Sequence, residues 1–446
     1  MKTYDAIMIG FGKGSKTLAG ELAKRGKHVA MIERSNQMYG GTCINEGCIP
    51  SKSLIIQAQH NDYTSAVVNK EILITKLRKK NFDKLDQLEL VDVYTAEASF
   101  VNDHEVHIKN EELDETLYGD YIFINTGSLP NLPDIKGIND TRQIYTSAEL
   151  MKLDQLPQRL AIIGGGYIGL EFSSMYARYG SKVTVFEHGE RLVKREDKDI
   201  ADAIQDVLQQ QGVSFAFSTE VVSFEQDGDH VLITYLDAQG NKQSQTADAV
   251  LLAAGRHANT AQLGLQHTGV RLDARGNIIV NEYLQTDVPH IYAMGDVKGG
   301  LQFTYISLDD YRIVKDHLLG EKKRTIHNRG NVAYSVFISP TFSRVGLSEQ
   351  EAIKAGYEVK IAKLPAAAIP RANVISQPLG ILKAVIDAKT DQVLGCVLFC
   401  AESEEMINFM ALAMDQKLPY QMIRDHIFTH PTMSEALNDL FSTINE

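Results

Sequence analysis

The chain has 446 residues, of which 44% are hydrophobic and 23% are charged, and its formal net charge is −12. A chain of this length exceeds the size at which one hydrophobic core stops growing, so we expect several domains with an ordinary globular composition. The acidic balance argues against a nucleic-acid partner, because phosphate backbones are bound by basic surfaces. The sequence also lacks an apolar run of about eighteen residues, so it predicts no membrane partner.

The N-terminal stretch MKTYDAIMIGFGKG does not have the pattern of a secretion signal, because its apolar residues lead directly into a glycine-rich turn. We therefore expect a cytoplasmic protein. Four cysteines are too few for a secreted disulfide framework, and in a reducing compartment a close pair is typical of catalysis or metal binding. Cys396 and Cys400, in VLGCVLFC, are expected to pack in the core of a strand.

The sequence contains two copies of one fold unit. An apolar strand at 4–9 leads into GFGKGS, a helical pattern and a strand that ends at Glu33; a strand at 160–163 leads into GGGYIG, a helix through residue 179 and a strand that ends at Glu187. In each copy the acid follows the first glycine by 23 residues. Such a turn binds pyrophosphate at a helix N-terminus, and the acid binds ribose hydroxyls. The candidate residues are Gly10, Gly12 and Glu33 in the first copy and Gly164, Gly166, Gly169 and Glu187 in the second.

Both copies end alike, since YIFIN precedes Thr126 and Gly127, and AVLLA precedes Ala254 and Gly255. The first copy takes 117 residues from Gly10 to Gly127, and the second takes 91 residues from Gly164 to Gly255. The segment with two close cysteines follows the acidic strand of the longer copy. The repeat therefore predicts two dinucleotide sites, of which only the first has a redox centre.

Cys43 and Cys48 lie in the segment GGTCINEGCIPSK. Two cysteines at this spacing at the start of a helix can form an easily reduced disulfide, and the helix N-terminus favours a thiolate. A zinc site would need further ligands close by, so no metal site is predicted. The segment resembles the redox motif of the glutathione reductase and lipoamide dehydrogenase family. That resemblance implies an α/β protein with two Rossmann-like domains, one for FAD and one for NAD, and a C-terminal α+β dimerisation domain.

The resemblance extends over essentially the whole chain and implies further roles. Met294-Gly295-Asp296 is similar to the second flavin motif, in which Asp296 holds the ribityl chain. Tyr167 would cover the flavin until NAD(P)H displaces it, and Lys52 and Glu171 would form an ion pair beside flavin N5. Thr42, Thr126, Gly127 and Gly255 complete the cofactor-binding residues that we expect.

The segment HPTMSE matches the family pattern H-P-T-x-x-E. The resemblance implies that His430 is the general acid and base at the thiols and that Glu435 orients its imidazole. In this family the histidine reaches the cysteines of the other subunit, so a homodimer is expected.

The resemblance also predicts where the domains begin and end. We expect an FAD-binding domain at 1–149, an NAD(P)H-binding domain at 150–270, a central segment that completes the FAD domain at 271–329, and the dimerisation domain at 330–446.

A closer likeness is to the bacterial reactive-chlorine-resistance flavoproteins, which act as hypothiocyanous acid (HOSCN) reductases. It rests on GFGK, MYGGTCIN, GDVKGGLQFTYISLDDYRIV and FTHPTMSEALNDLF. Phe303-Thr304-Tyr305 stands where related enzymes more often have Leu-Ala-His, which implies a remodelled surface beside the flavin and the thiols. Mercuric reductases share IPRA, but they need a C-terminal cysteine pair, whereas this sequence ends in FSTINE.

The sequence therefore predicts an enzyme that reduces the small-molecule oxidant HOSCN with electrons from NADH, NADPH being possible, in defence against oxidants. Glu187 favours NADH because it would face the 2′-phosphate of NADPH. Dihydrolipoamide dehydrogenase or another disulfide reductase remains open, as does a copper-handling or redox-sensing flavoprotein. We found no cationic cluster beside the cysteines. Two departures stand out: Ser15 replaces the third glycine of the first turn, and Glu46 would oppose a nearby thiolate.

Overall fold

A computed structural model of the protein describes residues 1–444. The last two residues of the ending FSTINE, which entered the comparison with mercuric reductases, lie outside the described residues. Within residues 1–444, no helix combines the length and the apolar character that crossing a membrane requires.

The first copy of the repeat forms the centre of a largely parallel sheet. Its strands are β1 (Lys2–Ile9), β2 (Val29–Glu33), β3 (Val91–Thr95), β4 (Glu97–Phe100), β5 (Glu105–Lys109), β6 (Asp114–Ile124) and β7 (Ser128–Pro130), and its helices are α1 (Lys13–Lys24), α2 (Thr42–Asn45), α3 (Cys48–Gln57) and α4 (Tyr63–Asp86). The strand order β3-β2-β1-β6-β5-β4 places β1 in the middle, where Met8 pairs with both Met31 and Phe123. Both faces of the central strands are buried: Met8 packs with Leu18 of α1 on one face, and Ile7 packs with Phe100 and Val106 of β4 and β5 on the other.

The second copy repeats this arrangement. Its strands are β8 (Ile144–Tyr145), β9 (Arg159–Ile163), β10 (Lys182–Glu187), β11 (Val213–Phe217), β12 (Glu220–Asp227), β13 (His230–Leu236), β14 (Lys242–Ala247), β15 (Ala249–Leu252) and β16 (Arg256–Ala258), and its helices are α5 (Ser147–Leu150), α6 (Tyr167–Tyr179) and α7 (Lys198–Gln210). In the order β11-β10-β9-β15-β8, Ile162 of β9 pairs with Val185 and Leu251. The predicted strand-turn-helix-strand repeat is confirmed.

The remainder of the chain returns to the first sheet and then builds an antiparallel one. The strands are β17 (Ile291–Ala293), β18 (Tyr334–Val336), β19 (Phe342–Gly346), β20 (Val359–Pro365), β21 (Ile381–Asp387) and β22 (Val393–Phe399), and the helices are α8 (Thr304–Leu319), α9 (Glu349–Lys354), α10 (Pro370–Val374), α11 (Ser403–Asp415), α12 (Tyr420–Arg424) and α13 (Ala436–Ser442). β17 pairs with β6, and the last sheet has the order β18-β19-β22-β21-β20. Cys396 lies in β22 and Cys400 directly after it, both buried as expected.

One apolar core joins the elements that carry the redox segment to those of the second copy. Leu54 of α3, Leu170 of α6 and Phe342 of β19 belong to the same buried cluster. The cysteine segment is therefore fixed against both the second dinucleotide unit and the last sheet. This packing determines which side chains surround the thiols.

Candidate active site

The two glycine-rich turns have the same backbone geometry. Gly10 and Gly164 adopt positive φ values of 97° and 110°, and a Cβ atom at either position would come within 2.6 Å of a carbonyl oxygen on the neighbouring strand end. Gly12 and Gly166 precede helices α1 and α6, and neither helix start has a side-chain cap. The first N–H groups of α6 are thus available to an anion, whereas in α1 the Gly14 and Ser15 N–H groups already donate to Ser307 and Asn125. A Cβ atom on Gly166 would meet nothing within 4 Å, so this turn faces open space.

The two acids support these turns in the same way. Glu33 accepts a hydrogen bond from the Phe11 N–H at 3.0 Å, and Glu187 accepts one from the Gly165 N–H at 2.8 Å. Phe11 and Gly165 each directly follow the first glycine of their turn. Glu187 also accepts from the Gly189 N–H at 2.7 Å. Sequence reasoning assigned the acids only to ribose binding, but each carboxylate also fixes the phosphate-binding turn of its own copy.

Ser15, which departs from the family pattern, closes the first turn by hydrogen bonding. Its hydroxyl donates to the Gly10 carbonyl at 2.5 Å and to Asn125 Oδ1 at 3.1 Å, and its N–H donates to the same Asn125 oxygen at 3.2 Å. At the equivalent Gly169, a Cβ atom would overlap a carbonyl of the turn. The first turn therefore accommodates a side chain because Asn125, which sequence reasoning missed, accepts its hydrogen bonds.

Asp296 lies beside an arginine that the sequence did not single out. Ser128 donates its hydroxyl hydrogen to Asp296 at 2.8 Å, and Arg256 donates to the Ser128 hydroxyl at 2.9 Å and to its carbonyl at 2.7 Å. Burial lowers the pKa of Arg256, and the charges of Asp296 and Glu46 oppose that change. The charge of Glu46 therefore interacts with the half-buried guanidinium of Arg256.

The other expected cofactor residues lie at the ends of the two copies. Thr126 donates its hydroxyl hydrogen to the Asn259 carbonyl at 2.8 Å. A Cβ atom on Gly127 would lie 3.9 Å from the Thr42 hydroxyl, which brings these two expected residues together. Gly127 and Gly255 have positive φ values of 75° and 94°, as turns that leave a strand often require.

The two cysteines of the redox segment are free thiols on consecutive helices, Cys43 within α2 and Cys48 at the first position of α3. A hydrogen bond from Cys48 lowers the pKa of Cys43 to about 6, and the Thr304 hydroxyl and the charges of Lys16 and Lys52 act in the same direction against burial. The hydrogen bond to Cys43 raises the pKa of Cys48. These opposite shifts favour a thiolate on Cys43 over one on Cys48.

Two helix N-termini converge on this pair. Cys48 begins α3, and Thr304, which begins α8, lies with its hydroxyl 3.9 Å from the Cys48 sulfur. Unpaired N–H groups and the aligned peptide dipoles of both helices favour negative charge here. The segment Phe303-Thr304-Tyr305, expected to remodel the surface near the thiols, does lie beside them.

Lys16 is a functional candidate that the sequence analysis missed. Its ammonium group donates to the Gly40 carbonyl at 3.1 Å and to Asn81 at 2.7 Å, directly before the cysteine segment. Burial lowers the pKa of Lys16 to about 8, while the charge of Cys43 opposes that change. Apart from the family motif that contains Lys52, the sequence predicts no clear cationic cluster beside the cysteines, and the structure adds the charge of Lys16, which acts on Cys43 together with that of Lys52. The only signal in the sequence is the position of Lys16 immediately after the glycine-rich turn.

The expected ion pair between Lys52 and Glu171 is present. Lys52 Nζ lies 2.8 Å and 2.6 Å from the two carboxylate oxygens, and the side chains are 27% and 11% exposed. Glu171 also accepts from the Phe337 N–H at 2.9 Å, and Lys52 lies 4.9 Å from the Phe337 ring centre. The ion pair thus connects the redox helix α3 with α6 and with the chain that leaves β18.

His430 and Glu435 form a second, separate group on the loop before α13. His430 Nδ1 and a Glu435 oxygen are 2.8 Å apart, and the other Glu435 oxygen accepts from the Thr432 N–H at 3.3 Å. Glu435 therefore fixes the imidazole, as the resemblance implied. The His430 side chain is 71% exposed, which leaves its second ring nitrogen facing outward. Within one protomer, the imidazole is thus presented to the surface.

Comparisons with known proteins give the class. Residues 4–310 match the pyridine nucleotide-disulphide oxidoreductase family, and residues 332–441 match its dimerisation domain. The probable pyridine nucleotide-disulfide oxidoreductase RclA of Escherichia coli K12 is 48% identical over 445 residues, which cover 100% of both chains. The mercuric reductase of Staphylococcus aureus is 34% identical and covers 97% of this chain and 81% of its own.

A solved structure supports the same assignment. The Cu(II) complex of the HOCl-induced flavoprotein disulfide reductase RclA from Escherichia coli superposes with a TM-score of 0.97 at 47% identity and covers 100% of both chains. The fold and the dithiol site thus define a flavoprotein disulfide reductase. The chain belongs to the pyridine nucleotide-disulphide oxidoreductase family.

Both the α/β fold and the family resemblance drawn from the sequence are confirmed. The family uses FAD and a nicotinamide nucleotide, and the dimerisation domain indicates a homodimer.

Proposed function

We propose that this protein is an NADH-dependent flavoprotein that reduces HOSCN to thiocyanate and water at Cys43 and Cys48. The observation that best supports the proposal is the position of the dithiol where two helix N-termini converge, with the Thr304 hydroxyl 3.9 Å from the Cys48 sulfur and with causes that lower the pKa of Cys43. HOSCN is a small neutral oxidant that requires only an accessible thiolate and a proton donor. The induction of the 47% identical relative by HOCl agrees with a role in oxidant defence.

The residues present fit the two cofactors. Gly10, Gly12, Glu33 and Asp296, with Thr42, Thr126 and Gly127, would hold FAD; Gly164, Gly166, Gly169, Glu187 and Gly255 would hold the nicotinamide nucleotide. The uncapped start of α6 opens onto free space at Gly166, as a pyrophosphate requires. Cys48 is exposed in the chain alone, so a cofactor can lie against it. When bound, the two cofactors supply the electrons that convert the disulfide to the dithiol.

The dithiol has the groups that this reduction needs. The Cys43 thiolate attacks the sulfur of HOSCN, an S–S bond forms, the S–O bond breaks, and the partner subunit's His430 gives a proton to the leaving hydroxide, which becomes water. The Cys48 sulfur then attacks Cys43, releases thiocyanate and forms the disulfide, while its proton returns to the imidazole. The two cysteines are oxidised by two electrons, and HOSCN is reduced by two.

The proposal also includes the composition of the active site and the location of the protein. The exposed His430, held by Glu435, would act on the thiols of the other protomer, so that the active site is complete only in the homodimer. A cytoplasmic location belongs to the proposal because the dithiol requires a reducing compartment. The domain limits 1–149, 150–270, 271–329 and 330–446 remain predictions.

Copper handling is a second candidate, favoured by the Cu(II) complex of the relative. A thiolate beside a thiol can bind or reduce a soft metal ion. In this alternative the same thiols turn over Cu(II), and HOSCN is a poor substrate.

Steady-state NADH oxidation tests the proposal with HOSCN, lipoamide, glutathione disulfide and Cu(II) as separate oxidants. We expect kcat/KM for HOSCN to exceed that for each alternative by about a hundredfold or more, and to be lost in Cys43→Ser, which lacks the attacking thiolate. Cys396→Ser is the matched control, because Cys396 is buried in β22. Fast reduction of lipoamide beside slow turnover of HOSCN would instead identify a lipoamide dehydrogenase, and preferential reduction of Cu(II) would favour copper handling.

A further inference from the structure

A second tyrosine holds Tyr167. The Tyr167 hydroxyl donates a hydrogen bond to the Tyr334 hydroxyl at 3.0 Å, and the two ring centres lie 5.4 Å apart at an angle of 36°. Tyr167 is the first residue of α6, and Tyr334 is the first residue of β18. The contact therefore joins the second glycine-rich turn to the last sheet of the fold.

A buried ion pair fixes the direction of this hydrogen bond. Tyr334 donates its own hydroxyl hydrogen to Glu196 at 2.7 Å, and the second oxygen of Glu196 lies 3.0 Å from Arg344. The Glu196 side chain is 0% exposed, so its carboxylate is a fixed acceptor that Arg344 neutralises. Because the Tyr334 hydrogen is committed to Glu196, its oxygen is left to accept from Tyr167, and the chain of hydrogen bonds polarises each member.

Aromatic packing holds Tyr334 from the other side and reaches the thiols. The Phe303 ring stacks on Tyr334 at 6.0 Å and on Tyr305 at 5.1 Å, with interplanar angles of 14° and 9°. Tyr305 donates to the Ala333 carbonyl at 2.7 Å, next to Tyr334. Thr304, which lies between Phe303 and Tyr305 in the sequence, has its hydroxyl 3.9 Å from the Cys48 sulfur. Tyr334 is thus held rigidly by an ion pair and by the segment that contacts the redox pair.

We propose that Tyr334 is a positioning residue for nicotinamide binding: with Glu196 and Arg344 it holds the Tyr167 ring in its closed position. The inference rests on the proposed role of Tyr167 as the ring that NADH displaces. Opening requires the hydrogen bond between the two hydroxyls to break. A protein that binds its ligand only in a minor, open state shows an apparent affinity reduced by the fraction of that state. Tyr334 therefore sets the NADH concentration at which the site fills.

A double-mutant cycle of Tyr167→Phe and Tyr334→Phe tests this, because both variants keep the ring and remove the hydrogen bond between the two hydroxyls, while Tyr334→Phe also removes the bond to Glu196. Flavin reduction by NADH is followed by stopped flow, without a terminal oxidant. We expect each single variant to lower the half-saturating NADH concentration by about fivefold, the effect of one hydrogen bond of ordinary net strength. The limiting rate should stay the same in Tyr334→Phe, which leaves the Tyr167 side chain intact, and the double variant should equal Tyr334→Phe.

Tyr63→Phe is the matched control. Tyr63 and Tyr176 form another hydroxyl pair, 3.3 Å apart in a buried core, and its loss should leave the half-saturating NADH concentration unchanged. Multiplicative effects in the double variant, or unchanged half-saturation in both single variants, would overturn the inference. Because HOSCN takes no part in the assay, a failure of HOSCN reduction leaves its result intact and separates the two proposals.

Discussion

The hydrogen bond between the two redox cysteines can be tested by replacing its donor. Cys48→Ala removes the donor, whereas Cys48→Ser keeps a hydroxyl that can donate to the Cys43 thiolate. Both variants prevent disulfide formation, so the reduced state of Cys43 is the same in each. The pair of variants therefore isolates the hydrogen bond from the loss of the disulfide.

The structure gives the size of the expected effect. Cys43 has a pKa of about 6 against an ordinary value of 9.0, so at pH 7 about nine-tenths of Cys43 is thiolate rather than about one hundredth. The Cys48 hydrogen bond is the largest single cause of this lowering. A hydrogen bond to a charged group contributes about 1.5 to 3 kcal/mol, which corresponds to a pKa change of about one to two. We therefore expect a Cys43 pKa of about 7 to about 8 in Cys48→Ala.

The rate of alkylation by iodoacetamide, measured from about pH 5 to about pH 9, reports this pKa because only the thiolate reacts. Because the Cys43 pKa is lowered to about 6, the alkylation rate of the reduced wild type should be at its maximum well above pH 6 and should fall as the pH drops through about 6. Cys396 and Cys400 do not contribute to the alkylation rate because both are buried, and burial raises the pKa of Cys400 to about 12. An equal inflection in Cys48→Ala and Cys48→Ser, or a wild-type inflection above pH 8, would refute the reasoning.

Two further predictions concern the nucleotide and the dimer. Glu187 should favour NADH over NADPH, because its carboxylate would repel a 2′-phosphate. In Glu187→Gln, the kcat/KM values for the two nucleotides should differ less than in the wild type. A clear wild-type preference for NADPH contradicts the assignment. Co-expressed His430→Ala and Cys43→Ser chains should recover about a quarter of wild-type HOSCN reduction, because half of the dimers then contain one intact composite site. No recovery in purified heterodimers would show that His430 does not act across the interface.

Local patterns carried most of the fold prediction. The glycine spacing, the apolar strands and the acids at Glu33 and Glu187 all lie within short stretches, and the structure has both units with matching strand order. The helix predicted from Ser15 begins slightly earlier, at Lys13, because Gly12 already has the extended backbone of a helix cap. Such a boundary depends on backbone angles that residue types alone leave open.

The parts of the site that sequence reasoning missed depend on contacts between distant segments. Asn125 completes the turn at Ser15 from the far end of β6, and Lys16 contacts the Gly40 carbonyl of the cysteine segment only because α1 packs beside that segment. Neither residue belongs to a motif that the sequence analysis used. The ion pair of Lys52 with Glu171 was expected only because the family resemblance carried tertiary information that spacing does not contain.

The segment Phe303-Thr304-Tyr305 connects two properties that would otherwise be independent. The Thr304 hydroxyl contributes to the low pKa of Cys43, while the neighbouring Phe303 ring packs on Tyr334, the partner of Tyr167. These side chains share one short backbone segment at the start of α8, so a shift that alters the packing of Phe303 also moves the Thr304 hydroxyl relative to the thiols. If Tyr334 positions Tyr167 as proposed, we expect a departure from the family pattern at this segment to affect thiolate reactivity and nicotinamide binding together.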